Sequence, residues 1–313
     1  MKTAFIFPGQ GSQAVGMGKA LAGAFAPARH IFAEIDDALD QRLSTLMFEG
    51  PESDLTLTEN AQPALMAVSL AALGVLETEG GWKLSAKAAF VAGHSLGEYS
   101  ALAAAGAISL ADAARLLKRR GRAMQLAVPV GKGAMAALLG LDLPAAQEVV
   151  AAAAQDEICA CANDNAPGQV VVSGAKAAVE RAIVLASEKG AKRSILLPVS
   201  APFHCQLMEP AAHEMEEALA GVTLAPPTVP LVANVTAAPV SDPETIRCLL
   251  VQQVTGMVRW RESVMRLKSE GVGRLVELGA GKVLAGLAKR IDREIEAMSL
   301  GQPADLDAAL KVL

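Results

Sequence analysis

Gly93-His94-Ser95-Leu96-Gly97 sets a serine between two glycines where an apolar run gives way to a helical one. In a Gly-x-Ser-x-Gly elbow, a strand turns sharply into a helix with serine at the tip. The glycines keep Cβ atoms out of the crowded turn, and the strained backbone pushes the hydroxyl outward. The helix start adds backbone N–H groups without partners, which can hold a developing oxyanion. The chemistry on offer is nucleophilic attack by the serine hydroxyl. The same five residues also read as a plain glycine-rich turn. The strand expected at Ala88–Ala92 and the helix expected from Glu98 to about Ala105 favour the nucleophile.

A serine needs a base, and the chain has four histidines. His30 and His213 lie on helical stretches with acidic neighbours and read as surface residues. His94 adjoins Ser95 in the elbow, where successive side chains diverge, so it reads as support for the loop. His204, in Val199-Ser-Ala-Pro-Phe-His-Cys205, follows a strand end and precedes a helix, where catalytic groups of α/β sheets concentrate. By elimination it is the candidate general base, although a lone histidine is often structural. No Asp or Glu is clearly placed as a third member, which leaves a backbone carbonyl to orient the imidazole.

Lys118-Arg119-Arg120-Gly121-Arg122 lies on a helix after the elbow. Successive residues point about 100° apart, so one arginine can turn inward while its neighbours stay in water. An inward arginine would be a bidentate partner for a carboxylate. Gly9-Gln-Gly11-Ser-Gln-Ala14 is a loose match to a dinucleotide fingerprint. Against it stand Pro8 in the turn and the helical character of Glu34–Asp37, where an acidic strand end is needed. The Gly-Lys pairs lack the flanking residues of a phosphate-binding loop. The Gly9–Gln13 loop is instead expected to face Ser95.

These groups need a scaffold. Thr3–Phe7 reads as a buried first strand stopped by Pro8-Gly9. Residues 18–49 and 61–79 read as helical, and Ser109 as the N-cap of a further helix. From Ala134 the pattern changes. Strand (134–139), helix (144–154), strand (158–162), turn (163–168), strand (169–173), helix (176–189) and strand (194–199) give the order β-α-β-β-α-β, a ferredoxin-like unit inserted into a larger one. The expected division is a large subdomain of 1–127 and 200–313 and a small one of 128–199. Helices are expected at 210–220, 243–254 and 261–270, then a strand at 274–278 and a final helix.

Of the 313 residues, 52% are hydrophobic and 19% charged, enough for a packed core and unlike a disordered chain. Aromatics are 3%, too few for stacking on single-stranded nucleic acid. A net charge of −5 argues against general polyanion binding. The N-terminus does not resemble an export signal. The longest uncharged stretch, 218–241, holds four prolines, which argues against a membrane span. Four cysteines form neither a disulfide framework nor a zinc pattern, so a cytoplasmic protein without a metal is expected.

The set Phe-Pro-Gly-Gln-Gly-Ser-Gln, Gly-His-Ser-Leu-Gly-Glu, Lys-Arg-Arg-Gly, Asn-Ala-Pro-Gly-Gln, Pro-Phe-His and Gly-Lys-Val-Leu, in that order over essentially the whole chain, resembles the malonyl-CoA:acyl carrier protein transacylases of dissociated bacterial fatty acid synthesis. The resemblance implies an α/β-hydrolase-like core with a parallel sheet and an inserted ferredoxin-like subdomain. It implies that Ser95 takes the malonyl group and that His204 activates Ser95 and later the carrier's phosphopantetheine thiol. Gln10 and Leu96 match the backbone N–H groups of the oxyanion hole. Arg120 matches the partner of the malonyl carboxylate, and Gln253 the residue whose carbonyl orients the histidine. Asn163 and Gln62 fall in stretches that approach the site. The family usually has proline where this chain has Met257, with Gly256 available to keep the turn. Phe203 would crowd a substituted malonyl α-carbon. No cofactor is implied beyond malonyl-CoA as substrate. Acyl carrier protein is the implied partner, with a monomer expected and no nucleic acid or membrane. An acidic carrier calls for a basic rim drawn from Lys189, Lys192, Arg193, Lys282, Lys289 and Arg290. The competing reading is a serine hydrolase using Ser95 and His204 on water, against which Arg120 counts.

Overall fold

The computed structural model describes residues 1–312. Its strands are β1 (Lys2–Phe7), β2 (Phe90–Gly93), β3 (Gly133–Leu139), β4 (Cys159–Ala166), β5 (Gln169–Ala175), β6 (Arg193–Leu196), β7 (Leu231–Val232), β8 (Pro239–Val240), β9 (Val272–Leu278) and β10 (Glu296–Leu300). The larger sheet has the order β10-β9-β1-β2-β7-β8, parallel except for β8 at one edge. Alternation along the central strands splits its core in two. Phe5, Phe7, Val91, Val276 and Leu278 face helices that include Ala26–Leu39, Thr58–Gly80, Leu110–Ala127 and Glu209–Ala220. Ala4, Ile6, Phe90, Ala92 and Leu275 face Trp260–Ser269 and Val283–Ile291. A strand covered on both faces reads as a continuous apolar run, as Ala4–Phe7 does.

Parallel pairing fixes where the loops meet. Phe7 pairs with Gly93, so β1 and β2 end side by side. The Gly9–Gln13 loop, the Ser95 elbow, Asn234 after β7 and the 279–283 turn after β9 all leave the same edge, where open α/β sheets collect ligand-binding groups.

The second sheet is antiparallel, in the order β4-β5-β3-β6. Ala134, Ala136, Leu138, Val170 and Val172 lie under the Leu143–Ala154 and Lys176–Glu188 helices. The opposite face, with Met135, Ala137 and Val171, turns toward Val199 and Phe203. This sheet therefore supplies one wall of a cleft whose other wall is the carboxyl edge of the larger sheet.

The expected elements correspond closely to those observed, with exceptions. The 18–49 stretch is three helices, Lys19–Ala24, Ala26–Leu39 and Leu43–Glu49, interrupted at Phe25 and again at Asp40, which takes a φ of 47°. The turn expected at 163–168 is shorter: β4 runs on through Ala166, because Asn163 bridges to Val258 and the Asp164 N–H donates to the Val258 carbonyl (3.0 Å). The last small-unit strand stops at Leu196. β7, β8, β10 and the Pro303–Ala309 helix were not expected as separate elements. The Thr58–Gly80 helix is long and apolar enough to cross a membrane, yet 83% of its apolar window is buried in the core.

Candidate active site

Ser95 sits between β2 and the Leu96–Ala104 helix with φ 54° and ψ −110°, a conformation that side chains rarely adopt. The flanking glycines are required by space. A Cβ on Gly93 would lie 1.9 Å from the Gly97 carbonyl, and one on Gly97 would lie 2.2 Å from the Phe7 carbonyl oxygen. The Ser95 N–H donates to Asn234 Oδ1 (2.8 Å), whose Nδ2 donates to the Gly93 carbonyl (2.6 Å). The Ser95 carbonyl accepts from Gln253 Nε2 (2.9 Å). Distant residues thus clamp the elbow on both sides.

His204, 4% exposed, brings Nε2 to 2.8 Å from Ser95 Oγ, and its Nδ1 lies 2.8 Å from the Gln253 carbonyl. A carbonyl only accepts, so Nδ1 carries the proton and the Nε2 lone pair faces the serine. Burial and, next, the nearby Arg120 charge push the imidazole pKa down to about 3, so it is neutral at ordinary pH. Gln253 lies in the last turn of the Pro243–Thr255 helix. Gly256 follows, where a Cβ would lie 2.8 Å from the Gln252 carbonyl oxygen. With Gly256 at that turn, Met257 in place of proline leaves the Gln253 carbonyl within reach of the imidazole.

Arg120 is the inward member of the basic run, 1% exposed. Its guanidinium donates to Gln62 Oε1 (2.8 Å), Gln253 Oε1 (2.8 Å) and Ser95 Oγ (3.1 Å), and lies 5.7 Å from the Tyr99 ring centre. Among the described residues its Nε has no hydrogen-bond partner, and no carboxylate lies within 4.0 Å of the guanidinium. A buried guanidinium held only by neutral groups is unusual, because its desolvation is compensated best by an anion. By contrast, Lys118 pairs with Glu59, and Arg119 with Glu214 and Glu217, on the solvent side.

A cavity of about 450 Å³ joins these groups. Gln10, Gln62, Ser95, Leu96, Arg120, Asn163 and His204 line it, with Phe203 and Val283 also in its wall. All of the site residues expected from sequence border this cavity except Gln253, which lies fully buried behind it. Leu96 opens the helix, so its N–H has no carbonyl one turn back, whereas the Ser95 N–H is taken by Asn234. Asn163 is 6% exposed and comes from a strand. His94 packs against Trp260 (ring centres 5.8 Å apart) and its Nε2 lies 2.9 Å from Asn165 Oδ1, a supporting position as expected.

Two residues were missed from sequence. Asn234 lies in the proline-rich segment without any motif around it. Glu98, three residues after Ser95, is 1% exposed, and its pKa is raised to about 7 by burial. The Glu of the elbow sequence was visible, but nothing local tells that it faces inward.

A family model described as acyl transferase domain matches residues 4–299. A malonyl CoA-acyl carrier protein transacylase from Bacillus subtilis (strain 168) is 44% identical over 313 residues, covering 100% of this chain and 97% of the relative. The crystal structure of an acyl-carrier-protein S-malonyltransferase from Bartonella henselae superposes with a TM-score of 0.97 at 57% identity, over 100% of this chain and 99% of that one. A solved complex of a type II PKS acyl-carrier protein with its malonyl-transacylase includes a chain that matches with a TM-score of 0.96 at 44% identity, over 99% of both. The chain belongs to the acyl transferase family and, within it, to the malonyl CoA–acyl carrier protein transacylases.

Proposed function

We propose that this protein moves a malonyl group from malonyl-CoA to the phosphopantetheine thiol of an acyl carrier protein by way of a malonyl ester on Ser95. The observation that carries this is one hydroxyl in contact with both a neutral imidazole, at 2.8 Å, and a buried guanidinium that lacks a carboxylate, at 3.1 Å. The first pairing supports acyl chemistry; the second supports an acyl group with a free acid at its far end.

The Ser95 hydroxyl attacks the thioester carbonyl as its proton passes to His204 Nε2. The Gln253 carbonyl orients the imidazolium that forms, and the Leu96 and Gln10 backbone N–H groups hold the oxyanion. The C–S bond breaks, and CoA leaves with the proton from His204. The carrier thiol then attacks the ester, giving its proton to His204. The C–O bond breaks, and Ser95 takes the proton back. One thioester replaces another, so the free-energy change is small and a ping-pong cycle follows. Arg120 pairs with the malonyl carboxylate, held in aim by Gln62 and Gln253, and Asn163 borders the acyl chamber. An acetyl group leaves that guanidinium without its anion, which gives selectivity.

In this reading residues 1–127 and 200–313 form an α/β-hydrolase-like core, and 128–199 a ferredoxin-like insertion. The β-α-β-β-α-β order with strand order β4-β5-β3-β6 supports it. The reaction needs no cofactor, the protein acts as a monomer, and its unpaired thiols suit the cytoplasm. Intact mass after mixing with malonyl-CoA tests the reading: one malonyl adduct, absent in Ser95→Ala. Acetyl-CoA should label poorly, and Arg120→Ala should erase the preference. Without a carrier, CoA release should stop after one equivalent; continuous release would favour a hydrolase.

A further inference from the structure

Glu98 lies one turn into the helix that Ser95 opens, and both of its carboxyl oxygens face donors. Oε1 accepts from the Asn234 N–H (3.3 Å), and Oε2 accepts from Gln253 Nε2 (2.6 Å). A protonated acid would turn its own O–H toward a donor, so these contacts fit the carboxylate. The groups acting on it are the Arg120 charge, from the Leu110–Ala127 helix, and the neighbouring Tyr99, whose ring lies against the same guanidinium.

The Gln253 side chain spans the gap between Glu98 and Arg120. Nε2 donates to Glu98 and to the Ser95 carbonyl, while Oε1 accepts from Arg120. Turning the amide over would lose all three bonds. We propose that Glu98 is a positioning residue for anion recognition: through the Gln253 amide it fixes the direction of the Arg120 guanidinium and supplies its countercharge from a distance. This rests on the reading of Arg120 as the partner of the malonyl carboxylate. A carboxylate touching Arg120 directly would compete with that substrate group. An interposed amide transmits alignment and leaves the guanidinium's free edge to the ligand. The same glutamine lends its backbone carbonyl to His204, so one residue sets both the base and the anion site.

The test is the ratio of kcat/KM for Ser95 loading from malonyl-CoA and from acetyl-CoA, in Glu98→Gln and in the unaltered protein. A glutamine at 98 can accept from only one of the two donors. The malonyl preference should fall by about tenfold or more, chiefly through KM for malonyl-CoA. A merely structural role would lower both donors alike and leave the ratio unchanged. In the unaltered protein the ratio should also fall from pH 8 to pH 6, as a carboxyl pushed up to about 7 takes up its proton. His204, at about 3, does not titrate in that range, and an exposed malonyl carboxylate stays ionised. The CoA moiety is common to both donors, so its own titration cancels. Should the variant fail to fold, the pH comparison decides alone. A ratio constant with pH, or unchanged in a folded variant, overturns the proposal. Failure of the unaltered protein to load malonyl on Ser95 would instead overturn the function it rests on.

Discussion

Ser95 occupies a backbone conformation worth about 1–3 kcal/mol of strain, and the bonds from Asn234 and Gln253 to its N–H and carbonyl hold it there. The two titrating groups beside it pull stability in opposite directions with pH. The His204 pKa is lowered from 6.5 to about 3, so the unfolded chain binds the extra proton between those values, and stability falls as pH drops through them. The Glu98 pKa is raised from 4.5 to about 7, so the folded chain binds the extra proton, and stability falls as pH rises from 4.5 to 7. From pH 4.5 to 6.5 the two slopes oppose each other. Glu98→Gln removes one of them. Its unfolding free energy should therefore lose up to about 1.4 kcal/mol more per pH unit of acidification than that of the unaltered protein. Urea melts of both at pH 6.5 and 5 would measure this, and parallel pH dependences would count against it.

Among the elements, the strand–elbow–helix unit was legible because every cause of it is local. An apolar run, two glycines and a helix start sit within about fifteen residues. Arg120 was legible only as one of several arginines until the family resemblance selected it, because the face a helix buries depends on what packs there. Asn234 and the inward turn of Glu98 were hidden for a related reason: their partners lie 136 or more positions away. β10, Glu-Ala-Met-Ser-Leu, is a partly exposed edge strand without β-branched residues, and β7 spans two residues, so neither carries a periodic signal. The elbow's tight packing allows a sharp expectation. A methyl at Gly97 would meet the backbone of β1 rather than a side chain able to move. Gly97→Ala should cost on the order of 3 kcal/mol or more in folding free energy, from overpacking against rigid backbone. Chemical denaturation is the check, and a loss under about 1 kcal/mol would mean the turn can relax.

Across the whole molecule, the small sheet is tied to the core by the far end of β4. Asn163 bridges Val258, Asp164 accepts from Arg261 (2.9 Å), and Asn165 bonds His94. The cleft walls are therefore joined next to the reactive serine. Lys282 adjoins the cavity wall at Val283, Arg290 donates to Gln169 in the same wall (3.0 Å), and Lys192, Lys282 and Lys289 are exposed. For a protein of net charge −5, Lys282 and Arg290 beside the cavity wall are the groups that would attract an acidic carrier. Lys282→Glu with Lys289→Glu should raise KM for the carrier about tenfold at low salt, less at high salt, and spare malonyl loading. If both half-reactions fall together, these lysines do not dock the carrier.

The reactive centre draws on residues 62, 95, 120, 204, 234 and 253, so no contiguous fragment shorter than most of the polypeptide contains it. During synthesis the serine emerges long before the glutamine that aims its imidazole. Until about four-fifths of the chain has left the ribosome, it is an ordinary alcohol among thioesters. Nascent and truncated products are thus chemically silent, and the power to acylate arrives only with the finished fold.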